Sequence, residues 1–550
     1  MKEHKINIII LSILSFLSVT IFCYFHFIGD DIFFHVDNIT NVVTNLKYVI
    51  QGKYYIMPNI GNNLGYGLYI FYPILPHFFY SVIAKLFGLI GVSVTNSVIF
   101  TSGLVSILST LSFYLLSFKF YKDKKIAFLA SLFFVFFPYR IVDLLSRCAI
   151  NESFCFIFIP MILTSLIYLE EKNKKLFYFF FCFGYIGLIL SHLVISLYFS
   201  IILMIYVILN FKKYFNRNII LDFIKAILFV SIIVLPNIIM MLEHRHMGYI
   251  IFDTNIMNNT NILNGARLSF VDFLFPFKSK FINVIVYISL SYVICFIIST
   301  YYIFKQKKSD YIKIFLMIIL ILLSVSTIIN WKQVPSIFTN IQFPWRMEIF
   351  LCVLMCLYIP YFLTIKSNSK YKIIVIILIF LSGIRFYVHL SYKETFDWYD
   401  VTYEYGAGYN LEYNPVESLF YKNDYAMKKD IDVIYGKADI HVKSKYPDLI
   451  FEVSNIKGET AIELPRIYYK GYELEKNNDK MIFGRSEKGL IRSYIYSDGI
   501  YTLTYKGTAA HQILRLIRFL FIIVCIYFVV LKKLGIWKGS KYETLKKNKV

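Results

Sequence analysis

The sequence predicts a polytopic α-helical membrane protein of about 12 spans with a small extracytoplasmic antiparallel β-sandwich domain near its C-terminal end. Three observations carry that expectation. Apolar runs recur along the chain at close to the roughly 20 residues that a spanning helix needs. Only 17% of the 550 residues are charged and 58% are hydrophobic, where soluble chains are about a quarter charged. One long polar stretch, 391–511, instead alternates short strand-like runs with Gly, Asn and Asp turns.

This composition excludes an ordinary soluble enzyme, and it excludes disorder, which requires low hydrophobicity. The net charge of +22 does not point to nucleic acid. The cations sit in short clusters between apolar runs, with no basic helix or aromatic-interleaved patch. The abundance of Lys, Asn and Ile fits a bacterial chain. Seven of the eight cysteines lie inside apolar runs and only Cys148 falls in a polar segment. Neither a disulfide framework nor a thiolate metal site is indicated.

The expected spans are 6–28, 92–118, 125–139, 154–169, 176–191, 193–210, 219–241, 281–304, 312–330, 347–365, 372–390 and 513–531. The first is too long for a signal-peptide core and reads as a retained anchor. A further run, 68–90, is interrupted by Pro73, Pro76, His77 and Lys85. If it does not cross, the basic segments MKEHK, KFYKDKK, EEKNKK, FKKYFNRN, KQKKSDYIK, KSNSKYK and the Lys-rich tail all fall on the cytoplasmic side, as the positive-inside rule asks. The run therefore reads as interfacial or re-entrant, with both termini cytoplasmic.

That parity places four pieces outside: 29–91, 242–280, 331–346 and 391–511. The expected domains are a transmembrane core over 1–390, the β-rich domain over 391–511, a last helix over 512–533 and a basic tail over 534–550. The strand-like runs are DIHVKSKY, LIFEVSNI, AIELPRIYY, RSYIYS and IYTLTYKG, separated by turns such as KNNDK and SDG. Strands at that spacing suggest a small sandwich.

The first span runs into Gly29-Asp30-Asp31, after which Asp31, His35, Asn38, Asn41 and Asn45 form a polar stripe at helical spacing. The opposite stripe is apolar, which predicts an in-plane amphipathic helix. Two adjacent carboxylates at its head suit a general base, because repulsion and partial desolvation raise the pKa of one of them. Asp is also favoured in first turns for structural reasons alone. Spacing leaves both readings open.

The segments GDDIFFHVDNI, NLGYGLYIFYPILPHFF, YRIVDLLSRCAINESF, SHLVISLYF, IQFPWRMEIF, ELPRIYYKGYEL and IYTLTYKGT resemble, in order, those of the GT-C superfamily of polytopic glycosyltransferases. Within it the chain is similar to the YfhO-type bacterial membrane proteins. The resemblance implies an enzyme: inverting transfer of a sugar from a polyprenyl-phosphate donor on the outer face of the plasma membrane. It implies a cell-envelope acceptor, such as a glycan or a teichoic-acid-type polymer. It also maps the catalytic base onto Asp30 or Asp31.

Such chemistry needs cations, or a divalent metal such as Mg or Mn, to meet the negative charge growing on the departing phosphate. Arg suits that role because its guanidinium grips phosphate oxygens bidentately. The candidate substrate- and phosphate-binding residues are His35, Arg140, Arg147, Glu152, His192 and Arg346. Each has a plainer reading. Arg140, Asp143 and Arg147 are spaced to share a helix face in a solvated connection, Arg346 can snorkel beside Trp345, and His192 can be a satisfied interfacial histidine. In Glu243-His244-Arg245-His246 a metal pair is conceivable, though alternate residues on a helix diverge. The expected partners are the lipid bilayer, the lipid-linked sugar and the envelope acceptor.

Two other functions fit a multi-pass chain. A transporter or flippase for lipid-linked precursors would place ionisable residues at the midplane, whereas these gather near the outer ends. A non-catalytic assembly partner would depend on the β domain and not on the outer Asp and Arg residues.

Overall fold

The fold is known from a computed structural model describing residues 2–27, 64–147, 149–253, 269–275, 287–305, 311–324, 344–360, 413–421 and 430–533, with a few isolated positions between them. Asp30, Asp31, His35 and their expected in-plane helix lie outside the described residues. So do Cys148, nearly all of the expected span 372–390 and the basic tail.

Twelve helices of eleven or more residues are described: α1 (Lys2–Phe27), α2 (Leu75–Gly88), α3 (Val94–Tyr121), α4 (Lys124–Val135), α5 (Ile150–Glu170), α6 (Lys174–Ser191), α7 (Leu193–Leu209), α8 (Arg217–His244), α9 (Leu290–Lys305), α10 (Tyr311–Ser324), α11 (Glu348–Tyr358) and α12 (Ala509–Lys533). Six of them are long and apolar enough to cross a membrane, and α4 with the turn that follows it makes a seventh, bent by 55°. The chain is therefore an integral membrane protein with a helical core.

Two expected elements take a more broken form. The expected span 125–139 ends at Val135 and bends, because Pro138 opens a new turn, Pro138–Ile141. Proline has no N–H to continue the earlier ladder but suits a first helical turn. The run 68–90 divides into the turn Leu68–Phe71 and the 14-residue α2. At 1.5 Å per residue α2 is about 21 Å long, short of the ~30 Å hydrocarbon layer.

Helix ends leave backbone N–H groups without an intrahelical partner, and the sequence supplies caps for them. Ser93 accepts from Asn96 N, Asp123 from Lys125 N and Ile126 N, and Asn173 from Leu176 N. Close helix approach rests on small residues. At Gly187 of α6 an added Cβ would lie 2.2 Å from the Phe158 ring of α5, and at Gly184 it would lie 2.7 Å from Ile162. On α3, the hydroxyls of Ser106 and Thr110 bond Ser15 of α1 at 2.9 and 2.7 Å.

Four lysine ion pairs gather at one end of the bundle. Lys124–Glu3, Lys119–Glu171, Lys174–Asp222 and Lys213–Glu170 pair there at 2.6–3.5 Å. The start of α5 and the ends of α6 and α8 lie at the opposite end, where Asn151 donates to Ser191 O at 2.8 Å.

The β domain sits over that opposite end. Its nine strands form two antiparallel sheets of order β1-β4-β8-β7 and β2-β3-β9-β5-β6. The strands are β1 (Asp432–Tyr435), β2 (Asp439–Ser444), β3 (Leu449–Ser454), β4 (Thr460–Ile467), β5 (Tyr472–Lys476), β6 (Asp479–Met481), β7 (Phe483–Arg485), β8 (Leu490–Ile495) and β9 (Gly499–Tyr505). Phe451, Leu474 and Leu503 of one sheet and Ile462, Leu464 and Ile491 of the other share one apolar core. Asn477 and Asn478, both at positive φ, make the β5–β6 turn, a geometry Asn tolerates. The five expected strands correspond to β2, β3, β4, β8 and β9, and the structure adds four short ones.

β4 is buried along its whole length, because the strap 64–73 from the membrane core packs against it. Ile467 N donates to Leu64 O at 2.8 Å, and Phe71 stacks on Tyr413 and meets Tyr469 edge-on.

Candidate functional site

The strap joins the β domain to a buried polar cluster. Below Pro138 the backbone makes a π-turn, Val142–Ser146, closed by Arg147 N donating to Val142 O at 2.8 Å. The extra residue in such a turn re-aims the side chains that follow. Arg140, before it, turns to α3. Its guanidinium donates to Ser106 O, Ser106 Oγ, Ser109 Oγ and Thr110 Oγ1 at 2.8–3.3 Å and lies over the Phe134 ring. Arg147, after it, turns the other way.

Glu152, in the first turn of α5, is the centre of the cluster. Its carboxylate accepts from Arg147 Nη1 and Nη2 at 2.9 and 3.1 Å, from Arg346 Nε at 2.9 Å and from Tyr139 OH at 3.2 Å. Arg147 Nη1 also donates to Asp143 Oδ1 at 2.7 Å. His192 Nε2 stands 3.9 Å from Glu152 Oε1, and its Nδ1 accepts from Ile195 N to cap α7. Arg346 is on the helical turn Pro344–Met347 that leads into α11. Residues far apart in sequence thus meet at one point.

The cluster is nearly closed to solvent: Glu152 and His192 are 2% exposed, Arg147 5% and Arg346 8%. Burial holds the His192 imidazole down at about 3, with the Arg346 charge acting in the same direction. Beside it, burial holds His77 down at about 4. Both are neutral at ordinary pH. The strap forms the roof. Tyr72 meets His192 edge-on, and Asn151 donates to Pro73 O at 3.0 Å.

Of the expected site residues, the structure brings Arg147, Glu152, His192 and Arg346 together. It places Arg140 in the hydroxyl cradle of α3, and Asp30, Asp31 and His35 lie outside the described residues. The sequence reading missed Tyr139 and Glu348 and gave Asp143 no role in the site. Asp143 Oδ2 and both Glu348 carboxyl oxygens are buried and meet no hydrogen-bond donor among the described residues. A glutamate two residues after Arg346, at the head of an apolar run, was the available signal. A carboxyl in that setting is costly unless a partner or a proton meets it.

His244 serves as a tie between the membrane core and the β domain. Its Nδ1 donates to Met240 O at 2.6 Å and its Nε2 accepts from Lys470 N at 3.0 Å, so both ring nitrogens are used. Among the described residues no group of three or more His, Cys, Asp or Glu side chains is placed to hold a metal ion. The described residues therefore do not themselves fit the expected divalent cation.

No family model and no curated protein matches the chain. Among solved structures it is similar to the archaeal oligosaccharyltransferase AglB from Archaeoglobus fulgidus in complex with an inhibitory peptide and a dolichol-phosphate. That likeness has a TM-score of 0.45 at 12% identity, over 78% of this chain and 60% of that one. It is also similar to the Archaeoglobus fulgidus oligosaccharyltransferase in complex with Zn and sulfate, with a TM-score of 0.43 at 12% identity, over 77% of this chain and 57% of that one. The chain thus spans about 60% of the length of the structures it matches.

Proposed function

We propose that the chain is an integral-membrane inverting glycosyltransferase that moves a sugar from a polyprenyl-phosphate donor to a cell-envelope acceptor on the outer face of the bacterial plasma membrane. The acceptor class is a glycan or a teichoic-acid-type polymer. The supporting observation is the convergence of Arg147 and Arg346 on Glu152 beneath the β domain. In this reading the acceptor hydroxyl attacks the anomeric carbon as Asp30 or Asp31 takes its proton. The bond from that carbon to the phosphate oxygen breaks on the opposite face, and the leaving lipid phosphate carries the new negative charge.

Glu152 holds the two guanidinium groups in fixed positions before the reaction begins. Charge stabilisation that needs no reorganisation is the most effective kind. Arg346, the most accessible member, is the residue we assign to the phosphate, with Arg147 behind it. Arg140, fully buried against α3, is assigned to holding the Pro138 turn on α1 and α3. Neutral His192 is an uncharged hydrogen-bonding wall. Admission of a donor requires the roof at Tyr72 and Pro73 to lift.

The test is sugar transfer by purified protein in detergent from a polyprenyl-phosphate sugar, where no compartment exists for transport. An Asp30→Asn/Asp31→Asn double variant is expected to lose roughly 10²–10⁴ in rate. Normal transfer by the double variant removes the base assignment. Absence of transfer by the unaltered chain, with binding of the donor retained, leaves a flippase or a non-catalytic assembly partner for the same precursors.

A further inference from the structure

A cavity of about 200 Å³ opens between α2, α6, α8 and α12, and none of the Glu152 cluster residues lines it. Its walls include Tyr69, Ile74, Phe78, Asn237, Arg515 and Arg518. The two arginines lie six and nine residues into α12, about 9 and 14 Å along its axis. Their neighbours Ile513, Leu516, Ile517 and Leu520 are apolar and exposed, as on a lipid-facing helix. Both arginines lie in the first turns of the last span, where a guanidinium reaches the headgroup level of a membrane while its stem stays among apolar side chains.

Each polar group of the cavity has a defined state. Arg518 Nη1 donates to Asn237 Oδ1 at 2.9 Å, which fixes it between α8 and α12. Arg515 is exposed on one side, stands 6.0 Å from the Tyr55 ring, and forms no ion pair among the described residues. The Tyr69 hydroxyl lines the cavity, is buried with its residue 3% exposed, and has no hydrogen-bond partner among the described residues. A buried hydroxyl in that state costs free energy that a ligand oxygen would recover. The remaining wall is apolar. It continues outward along α2 through Phe78, Val82 and Leu86, which are 56%, 41% and 55% exposed and spaced four residues apart on one helix face.

We propose that this cavity binds the phosphate of a membrane lipid, with Arg515, Arg518 and the Tyr69 hydroxyl on the phosphate oxygens and the hydrocarbon chain along Phe78, Val82 and Leu86. Two cations and a hydroxyl donor suit a phosphate, to which a guanidinium binds bidentately. The adjoining apolar stripe suits a phosphate that carries a chain. This site goes beyond the sugar-transfer reading and holds whether or not the Glu152 cluster is catalytic.

The experiment is a binding titration of the full-length protein in phosphatidylcholine nanodiscs with a labelled polyprenyl phosphate, in both the unaltered and the Arg346→Ala backgrounds. In each background Arg515→Gln/Arg518→Gln is expected to weaken binding at the cavity by about tenfold or more, and Tyr69→Phe by a smaller factor. The matching polyprenol, which lacks phosphate, is expected to show no dependence on the arginines. Displacement by phosphatidylglycerol identifies an anionic phospholipid as occupant. Failure of phosphatidylglycerol to displace identifies the polyprenyl monoester. Displacement by millimolar inorganic phosphate, or undiminished binding in the double variant, overturns the proposal. Because Arg518 also ties α8 to α12, Arg515→Gln alone must weaken binding. An effect confined to Arg518→Gln and accompanied by a lower melting temperature also overturns it.

Discussion

Glu152 accepts hydrogen bonds from Arg147, Arg346 and Tyr139 at once, so loss of its charge leaves two guanidinium groups facing each other in a nearly dry site. Breaking a buried pair in that way costs about 3–5 kcal/mol. Glu152→Gln is therefore expected to lower the unfolding temperature in detergent sharply, and a variant as stable as the parent contradicts the geometry. The imidazoles make a second prediction. His192 and His77 are held at about 3 and about 4 in the folded chain, below the ordinary value near 6.5. The unfolded chain thus binds more protons below that ordinary value. Their contribution is complete above it and falls as pH drops toward the folded values. Unfolding followed between pH 7.5 and 4.5 should show stability declining with acid, and His192→Gln should flatten that slope. An unchanged slope would exclude His192 as a source. At this scale the sequence marked Arg147, Glu152 and Arg346, which the fold brings together, because charge at the ends of apolar runs is conspicuous. It did not reveal that Arg140 and Arg147 diverge, since the π-turn between them leaves no mark in residue spacing.

Among the elements, the seam between α5 and α6 is the most exacting. Gly187 gives Phe158 the room its ring occupies, and overpacking of this kind typically costs about 1–3 kcal/mol. Gly187→Val is expected to destabilise the bundle by at least that much, read by thermal unfolding, with Phe158→Ala partly restoring the double variant. No rescue would show that the two side chains do not compete for one space. Helix positions were readable from apolar length, and β2, β3, β4, β8 and β9 from alternation. β6 and β7 are three residues each, too short to show any period. The bend at Pro138 was hidden for another reason: the apolar run continues through it while the backbone does not.

The whole molecule is a helical core whose one end is closed by the β domain through the strap, the His244–Lys470 tie and the Glu243–Thr508 contact. The opposite end carries the Lys–Glu and Lys–Asp pairs. In the orientation we propose from the positive-inside distribution, that basic end faces the cytoplasm and the β domain lies outside. A cysteine at Asn478, in the β5–β6 turn, is expected to react with a membrane-impermeant maleimide in intact cells. One at Lys213 is expected to react only after permeabilisation. The reversed pattern would move the site to the cytosolic face and remove a polyprenyl-linked outer donor from consideration.

In the proposed reaction the guanidinium groups held by Glu152 receive the lipid phosphate. That assignment is tested most directly by a cryo-EM structure of the full chain with an unreactive polyprenyl-phosphate sugar bound. The phosphate is expected at hydrogen-bond distance, about 3 Å, from the Arg346 guanidinium, with Tyr72 and Pro73 displaced from the roof. A donor phosphate seated elsewhere, with the cluster and its roof unchanged, would contradict it.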